Sequence, residues 1–212
     1  MAFRYSGKNW EGRSFVCPPA IRSFGQSISA LGPRPSTLYD GTVASKQHDK
    51  VSPSSDHRPK PYRGPGKVRA LDVTLTRTRG IVMAESIRLS QDRRVGYIIN
   101  EGMKFNGDRS PYPWQWRRYL GANPHKGHLH QSTISTYDND GSPWDLTGEH
   151  NMDGPNGEPN WDKVSDYARE SWTLAWEAGI LNNQPGDARD SNPQDVVNKE
   201  ELMIFLNRAN II

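Results

Sequence analysis

Hydrophobic and polar positions fall into a few patterned stretches separated by long unpatterned ones. In "CPPAIRSFGQSISALG", Ile21, Phe24, Ile28 and Leu31 recur at helical spacing between an opening proline pair and Gly32, which predicts a helix. "KVRALDVTLT" (67–76) alternates strictly and predicts a half-buried strand, with Leu71, Val73 and Leu75 turned to the core. "GIVMAESIRLSQ" (80–91) has a helical pattern, and "VGYIINEGMKFN" (95–106) predicts a hairpin turning at Glu101-Gly102. "HLHQSTIST" (128–136) predicts another strand. Farther on, "DKVSDYARESWTLAWEAGIL" predicts an amphipathic helix closed by Gly179. "NKEELMIFLNRANI" predicts a second, with Asn198 as its N-cap.

The unpatterned stretches divide the chain. Pro33 to Gly66 is polar and rich in Pro and Ser, and so long a loop is uncommon in a compact domain unless it is functional or disordered. Residues 137–161 have the Gly, Pro, Asp and Asn content of a linker. The expected organisation is therefore an α+β domain over 1–136, with a small antiparallel sheet and flanking helices. A linker over 137–161 and a small helical module over 162–212 follow. A module of about fifty residues buries too little to be very stable alone.

Composition and charge sharpen this picture. An apolar fraction of 33%, with 19 Gly and 16 Pro, implies much irregular structure, while 7 Trp and 8 Tyr argue against wholesale disorder. The single cysteine, Cys17, excludes an intrachain disulfide and any C-x-x-C metal site. No stretch approaches the roughly 18–20 apolar residues of a membrane span. The first residues lack the apolar run of a signal peptide, so synthesis in a reducing cytosol is expected. Residues 1–136 carry 22 Lys and Arg against 9 Asp and Glu, whereas residues 137–212 carry 5 against 15. That asymmetry suggests two modules with different partners, and the basic one suits a polyanion.

Chemistry gathers on the alternating strands. Side chains alternate across a strand, so His128 and His130 share a face opposite Leu129. Paired imidazoles suit metal ligation, or one ligand beside one acid/base. Asp72 shares the non-core face with Ala70 and Thr74, and a carboxylate on so buried a strand needs a metal or an arginine as partner. His57, in "SSDHRP", stands among turn formers in the long loop. His57, Asp72 and His130 together offer two imidazoles and a carboxylate, with a fourth tetrahedral position open for water. His128 would then serve as general base and acid. Trp114 and Trp116 are read as core, His125 as loop or substrate rim, and His150 as a linker residue.

These residues carry a resemblance. "LGPRPSTLYDGTVASKQHDKVSPSSDHRPKPYRGPGKVRALDVT", with "YIIN" and "WRRYLGANPHKGHLHQS", resembles the peptidoglycan peptidase domains of bacteriophage endolysins that infect actinobacteria. Those are similar to zinc D-Ala-D-Ala carboxypeptidases of the Hedgehog-type fold. The family's S-x-H, A-x-D and H-x-H segments correspond to Ser55-Asp56-His57, Ala70-Leu71-Asp72 and His128-Leu129-His130. The resemblance implies His57, Asp72 and His130 as Zn2+ ligands and His128 as the catalytic histidine. It also implies an arginine that binds a substrate carboxylate, for which Arg34 is the candidate and Arg22 the alternative. His48 matches a recurring histidine of the phage group without an assigned role. Fourteen residues separate His57 from Asp72, more than the family's usual spacing, which implies an inserted loop.

The tail resembles a single S-layer-homology-type unit, in "VSDYARESWTLAWEAGILN" and "NKEELMIFLNRANI". Such units anchor proteins to cell-wall polymers. The acidic charge of this tail suits an anionic polymer poorly, and packing against the basic domain is the alternative. The expectation is a zinc peptidase that acts on bacterial peptidoglycan after a holin releases it from the host cytoplasm. A virion-associated lysin or structural phage protein of the same fold is the first alternative, which detection in purified particles would reveal. A nucleic-acid-binding protein using the basic half is the second, although no recognition-helix pattern accompanies the scattered charges.

Overall fold

A computed structural model describes residues 3–34, 36–60, 65–147 and 160–177. Among them the chain is α+β, with four α-helices and two small sheets. Strands β1 (Ser6–Lys8), β2 (Ser14–Val16) and β3 (Gly66–Lys67) form the smaller sheet. The larger contains β4 (Ala70–Thr74), β5 (Val95–Asn100), β6 (Met103–Asn106), β7 (Arg117–Arg118) and β8 (His128–Thr133). Its order is β4-β8-β5-β6-β7, antiparallel throughout, so the last strand in sequence lies between two earlier ones.

That central placement explains why every residue of β8 is buried. On one face, Leu71, Val73, Ile98, Phe105 and Leu129 join the main core with Ile21, Phe24 and Ile28 of α1 (Pro19–Ala30). Met83, Ala84 and Ile87 of α3 (Arg77–Ser90) complete it. Helix α1 opens with proline at its first position, where the ring costs no hydrogen bond. Helix α3 begins at Arg77, earlier than its apolar pattern, because the Thr76 side chain accepts from Arg79 N–H as an N-cap. The expected hairpin forms as β5 and β6, and both Glu101 and Gly102 adopt positive φ, the backbone of a type I′ turn.

The long loop is held at several points. It contains a short helix, α2 (Lys46–Val51), N-capped by Ser45. Asp49 accepts from Trp10 Nε1 at 2.6 Å, and Lys60 exchanges backbone hydrogen bonds with Lys67. Most relevant to function, Gly41 exchanges both backbone hydrogen bonds with Asp72.

The packed body also extends past Thr136 into the expected linker. Asp138 accepts from Arg69 and Lys67, and Trp144 lies edge-on to Phe24 with its Nε1 bonded to the Ala20 carbonyl. Buried aromatic area, not the local Gly and Pro content, decides that segment's position. Helix α4 (Asp166–Glu177), the described beginning of the expected helical module, packs on α3 through Ile81, Val82, Val164, Ala168, Trp172 and Ala175. Glu85, fully buried, accepts from Ser165 N–H, Trp116 Nε1 and Arg88, which ties α3 to the residue before α4 and to the residue before β7. The second helix expected in the tail, with Asn198, lies outside the described residues, as does His150. No helix among the described residues is long and apolar enough to cross a membrane.

Candidate metal centre

Register builds the site. Asp72 on β4 lies opposite His130 on β8, and Thr74 lies opposite His128. Residues opposite one another in an antiparallel pair point to the same face, so Asp72, His128 and His130 occupy the face turned from the core. Ile99 and Tyr97 of β5 extend that face, and the Tyr97 ring stacks on His130 with centroids 5.2 Å apart and planes at 17°.

The third residue comes from the loop through Asp72 itself. Because the Gly41 backbone pairs with the Asp72 backbone, the next carbonyl, that of Thr42, is carried over the sheet. His57 Nδ1 lies 2.8 Å from this oxygen. A carbonyl only accepts, so Nδ1 carries a proton and Nε2 turns toward the sheet. There His57 Nε2 is 3.2 Å from His130 Nδ1 and 3.2 Å from Asp72 Oδ2, while His130 Nδ1 is 2.8 Å from Asp72 Oδ1. The three residues predicted to act together therefore converge, and this set can hold a metal ion.

Both histidines are almost fully buried, and Asp72 is only partly open. Burial alone would raise the Asp72 carboxyl, but His57 and His130 beside it hold it well below the usual carboxylate range. His57 is pushed down by burial, yet the Asp72 charge outweighs that and raises it. His130 is lowered, with burial prevailing over Asp72. Metal ligation needs the lone pairs of both imidazoles, so metal binding weakens as pH falls.

The remaining expected residues separate in position. His128 lies on the same face, under the exposed Tyr39 ring at 5.0 Å, and its Nδ1 is buried without a hydrogen-bond partner. Arg34 is held by Asp40 in a bidentate pair at 2.6 and 2.7 Å, and Asp40 in turn accepts from Thr74 N–H. The guanidinium therefore braces the end of β4 that faces His128. Arg22 is exposed on α1. His48 sits edge-on to His57 at 5.4 Å and bonds to Ser55 Oγ. Trp114 and Trp116 both pack against Phe105; Trp114 is buried in the core as expected, and Trp116 is partly buried at its edge.

His125 lies in a loop, as expected, but that loop turns it inward and not to the rim. It is buried, 4.8 Å from His128 and 5.3 Å from His130 between ring centroids, and burial lowers it to about 3. The cause is backbone geometry that periodicity does not report. His125 has φ 54° and Gly127 φ 76°, while Glu101 and Gly102 bond to the His125 and Pro124 carbonyls. The only sequence signal was the crowding of three histidines into "HKGHLH".

No protein-family model matches the chain, and no curated protein or solved structure matches it.

Proposed function

We propose that the chain is a zinc-dependent peptidoglycan peptidase of the endolysin type, hydrolysing an amide in the stem peptide or crossbridge of the bacterial wall. The observation that carries this is the His57–Asp72–His130 triangle. Tetrahedral zinc with Zn–N bonds of about 2.0–2.1 Å needs donors about 3.3 Å apart, and the edges of the triangle are 3.2, 3.2 and 2.8 Å. Two neutral imidazoles and one carboxylate are also the donor types of an open catalytic zinc site. The sheet that brings H-x-H beside A-x-D supports the D-Ala-D-Ala carboxypeptidase-like, Hedgehog-type fold implied by the resemblance.

Zinc in this site would supply Lewis acidity toward the scissile carbonyl and toward water. The chain's own residues do the rest. Thr42 O fixes the His57 tautomer, and the Tyr97 ring fixes the plane of His130. His128, on the same face and under Tyr39, takes the proton of the attacking water and returns it to the leaving amine. Arg34 positions β4 through Asp40. Wall-directed action after release from the host cytoplasm accords with the basic first 136 residues. Arg34, Arg69, Arg88 and Arg94 are nonetheless each paired with a carboxylate inside the fold, which weakens the nucleic-acid alternative.

Digestion of purified peptidoglycan followed by mass spectrometry of the fragments tests the reading. One class of amide is cut by the zinc-loaded chain and left intact after chelation. An unchanged fragment pattern with zinc-loaded protein refutes it.

A further inference from the structure

A second set of donors adjoins the first. Ligand atoms of Asp72, His125 and His128 lie within 4.8 Å of one another, and Asp72 belongs to both sets. His125 Nδ1 lies 2.6 Å from the Asn123 carbonyl oxygen, so it donates there and leaves Nε2 with a free lone pair. His57 is oriented by a backbone carbonyl in the same way. A carbonyl that fixes the tautomer of a histidine is the usual outer support of a metal ligand. His128 supplies the independent sign of an occupant, since its Nδ1 is buried without a partner, a costly state for a polar atom. His125 is held inward at positive φ, with its N–H on Asn123 Oδ1 and its carbonyl on Glu101 N–H. A residue kept in so sparsely populated a backbone region is one the surrounding structure fixes there.

We propose that Asp72, His125 and His128 form a second site for a divalent transition-metal ion, sharing Asp72 with the first, and that filling it switches the proposed peptidase off. The reasoning on activity rests on the proposed function; the binding site does not. An ion on His128 occupies the lone pair that proton transfer requires, so the second ion inhibits. The first set is already within bonding spacing at 2.8–3.2 Å. The second set must share Asp72, whose two carboxylate oxygens already face His57 and His130, and an ion there meets the repulsion of the first. It is therefore the weaker site and fills after the first, making excess metal a brake on the enzyme.

The test is a titration of the metal-free full-length chain with Zn2+ against a chromophoric chelator, with Co2+ absorption spectra as a second readout. Wild type binds two equivalents in two steps. His125→Ala binds one, at the affinity of the first step, and His125→Gln, which retains hydrogen-bonding capacity at that position, does the same. Circular dichroism of each variant confirms folding. In wall-hydrolysis assays, wild-type activity rises and then falls with added Zn2+, and the His125 variants lose the fall. Saturation of wild type at one equivalent overturns the second site and leaves the first intact. Two equivalents retained by both His125 variants overturn it as well. A wild type that binds no metal overturns both this inference and the proposed function.

Discussion

Replacing Asp72 by alanine removes the group on which both histidines converge, and its effect follows from two opposing contributions. In the metal-free protein the carboxylate interacts with His57 at 3.2 Å and His130 at 2.8 Å. Charge-assisted hydrogen bonds contribute about 1.5–3 kcal/mol each, while removing a buried carboxylate returns part of its desolvation cost. A net loss of about 1–3 kcal/mol remains. Metal acts on top of this. At a free concentration about a hundred times Kd, one bound ion stabilises the fold by about 2.7 kcal/mol. For a chain of this size each kcal/mol moves Tm by roughly 2–4 °C. Zinc therefore raises the wild-type Tm by about 5–10 °C and leaves that of Asp72→Ala unmoved, because two imidazoles without the carboxylate hold the ion weakly. The measurement is thermal unfolding by circular dichroism with zinc and with chelator, alongside elemental analysis of dialysed protein. Asp72→Asn, nearly isosteric, serves as the control for folding. An equal zinc shift in wild type and Asp72→Ala would place the metal elsewhere, and a wild type indifferent to zinc would refute the site.

Further outcomes follow from the same geometry. His128→Ala retains the first metal equivalent but loses about 10²–10⁴-fold in turnover, the usual worth of a positioned acid/base; wild-type rates in that variant would remove His128 from proton transfer. Gly41→Ala is neutral, since a Cβ there meets nothing within 4 Å. Gly41→Pro deletes the N–H bonded to the Asp72 carbonyl and weakens metal binding by about 10–100-fold, as loss of outer support does; equal metal affinities in the two variants would show that the bridge does not position His57. Trp172→Ala empties the α3–α4 contact and destabilises by about 3–5 kcal/mol in urea titration; a loss below about 1 kcal/mol would mean that α4 is not part of the cooperative unit. Asp138 is pushed upward by burial but lowered further by Arg69 and Lys67. Its stabilisation is therefore complete above the ordinary carboxylate pKa of about 3.9 and is lost as pH falls through the lower folded value. Asp138→Asn should flatten the acid limb of the stability profile, and an unchanged limb would refute the assignment.

The site was legible where it depends on strand alternation and illegible where it depends on backbone placement. Leu71, Val73 and Leu129 announced the core face, and Asp72 and His130 the opposite one, because a strand has a period of two and one face must be buried. His57 had no such signature, since its position is set by a backbone bridge at Gly41 and a carbonyl at Thr42, neither of which depends on residue type. The inward turn of His125 is hidden for a related reason: a positive φ in a non-glycine residue reverses the direction of a loop without any mark in the pattern. The boundary expected at Thr136 rests on composition, and the buried Trp144 and the ion pairs of Asp138 outweigh composition.

Asp72 is the point at which these separate devices meet. Its backbone pairs with Gly41 on one side and lies in register with His130 on the other, while its side chain touches His57 and His130. A displacement of the long loop and a displacement of β8 therefore reach the same carboxylate, and neither can move one ligand without moving it relative to the other two. The central strand is buried throughout and held on both sides, so the loop is the element able to adjust. Fourteen residues separate His57 from Asp72 in sequence, and the cost of closing a longer connection grows only logarithmically. Extra residues there can vary without disturbing the triangle, provided that the Gly41–Asp72 bridge and the Thr42 carbonyl stay in place.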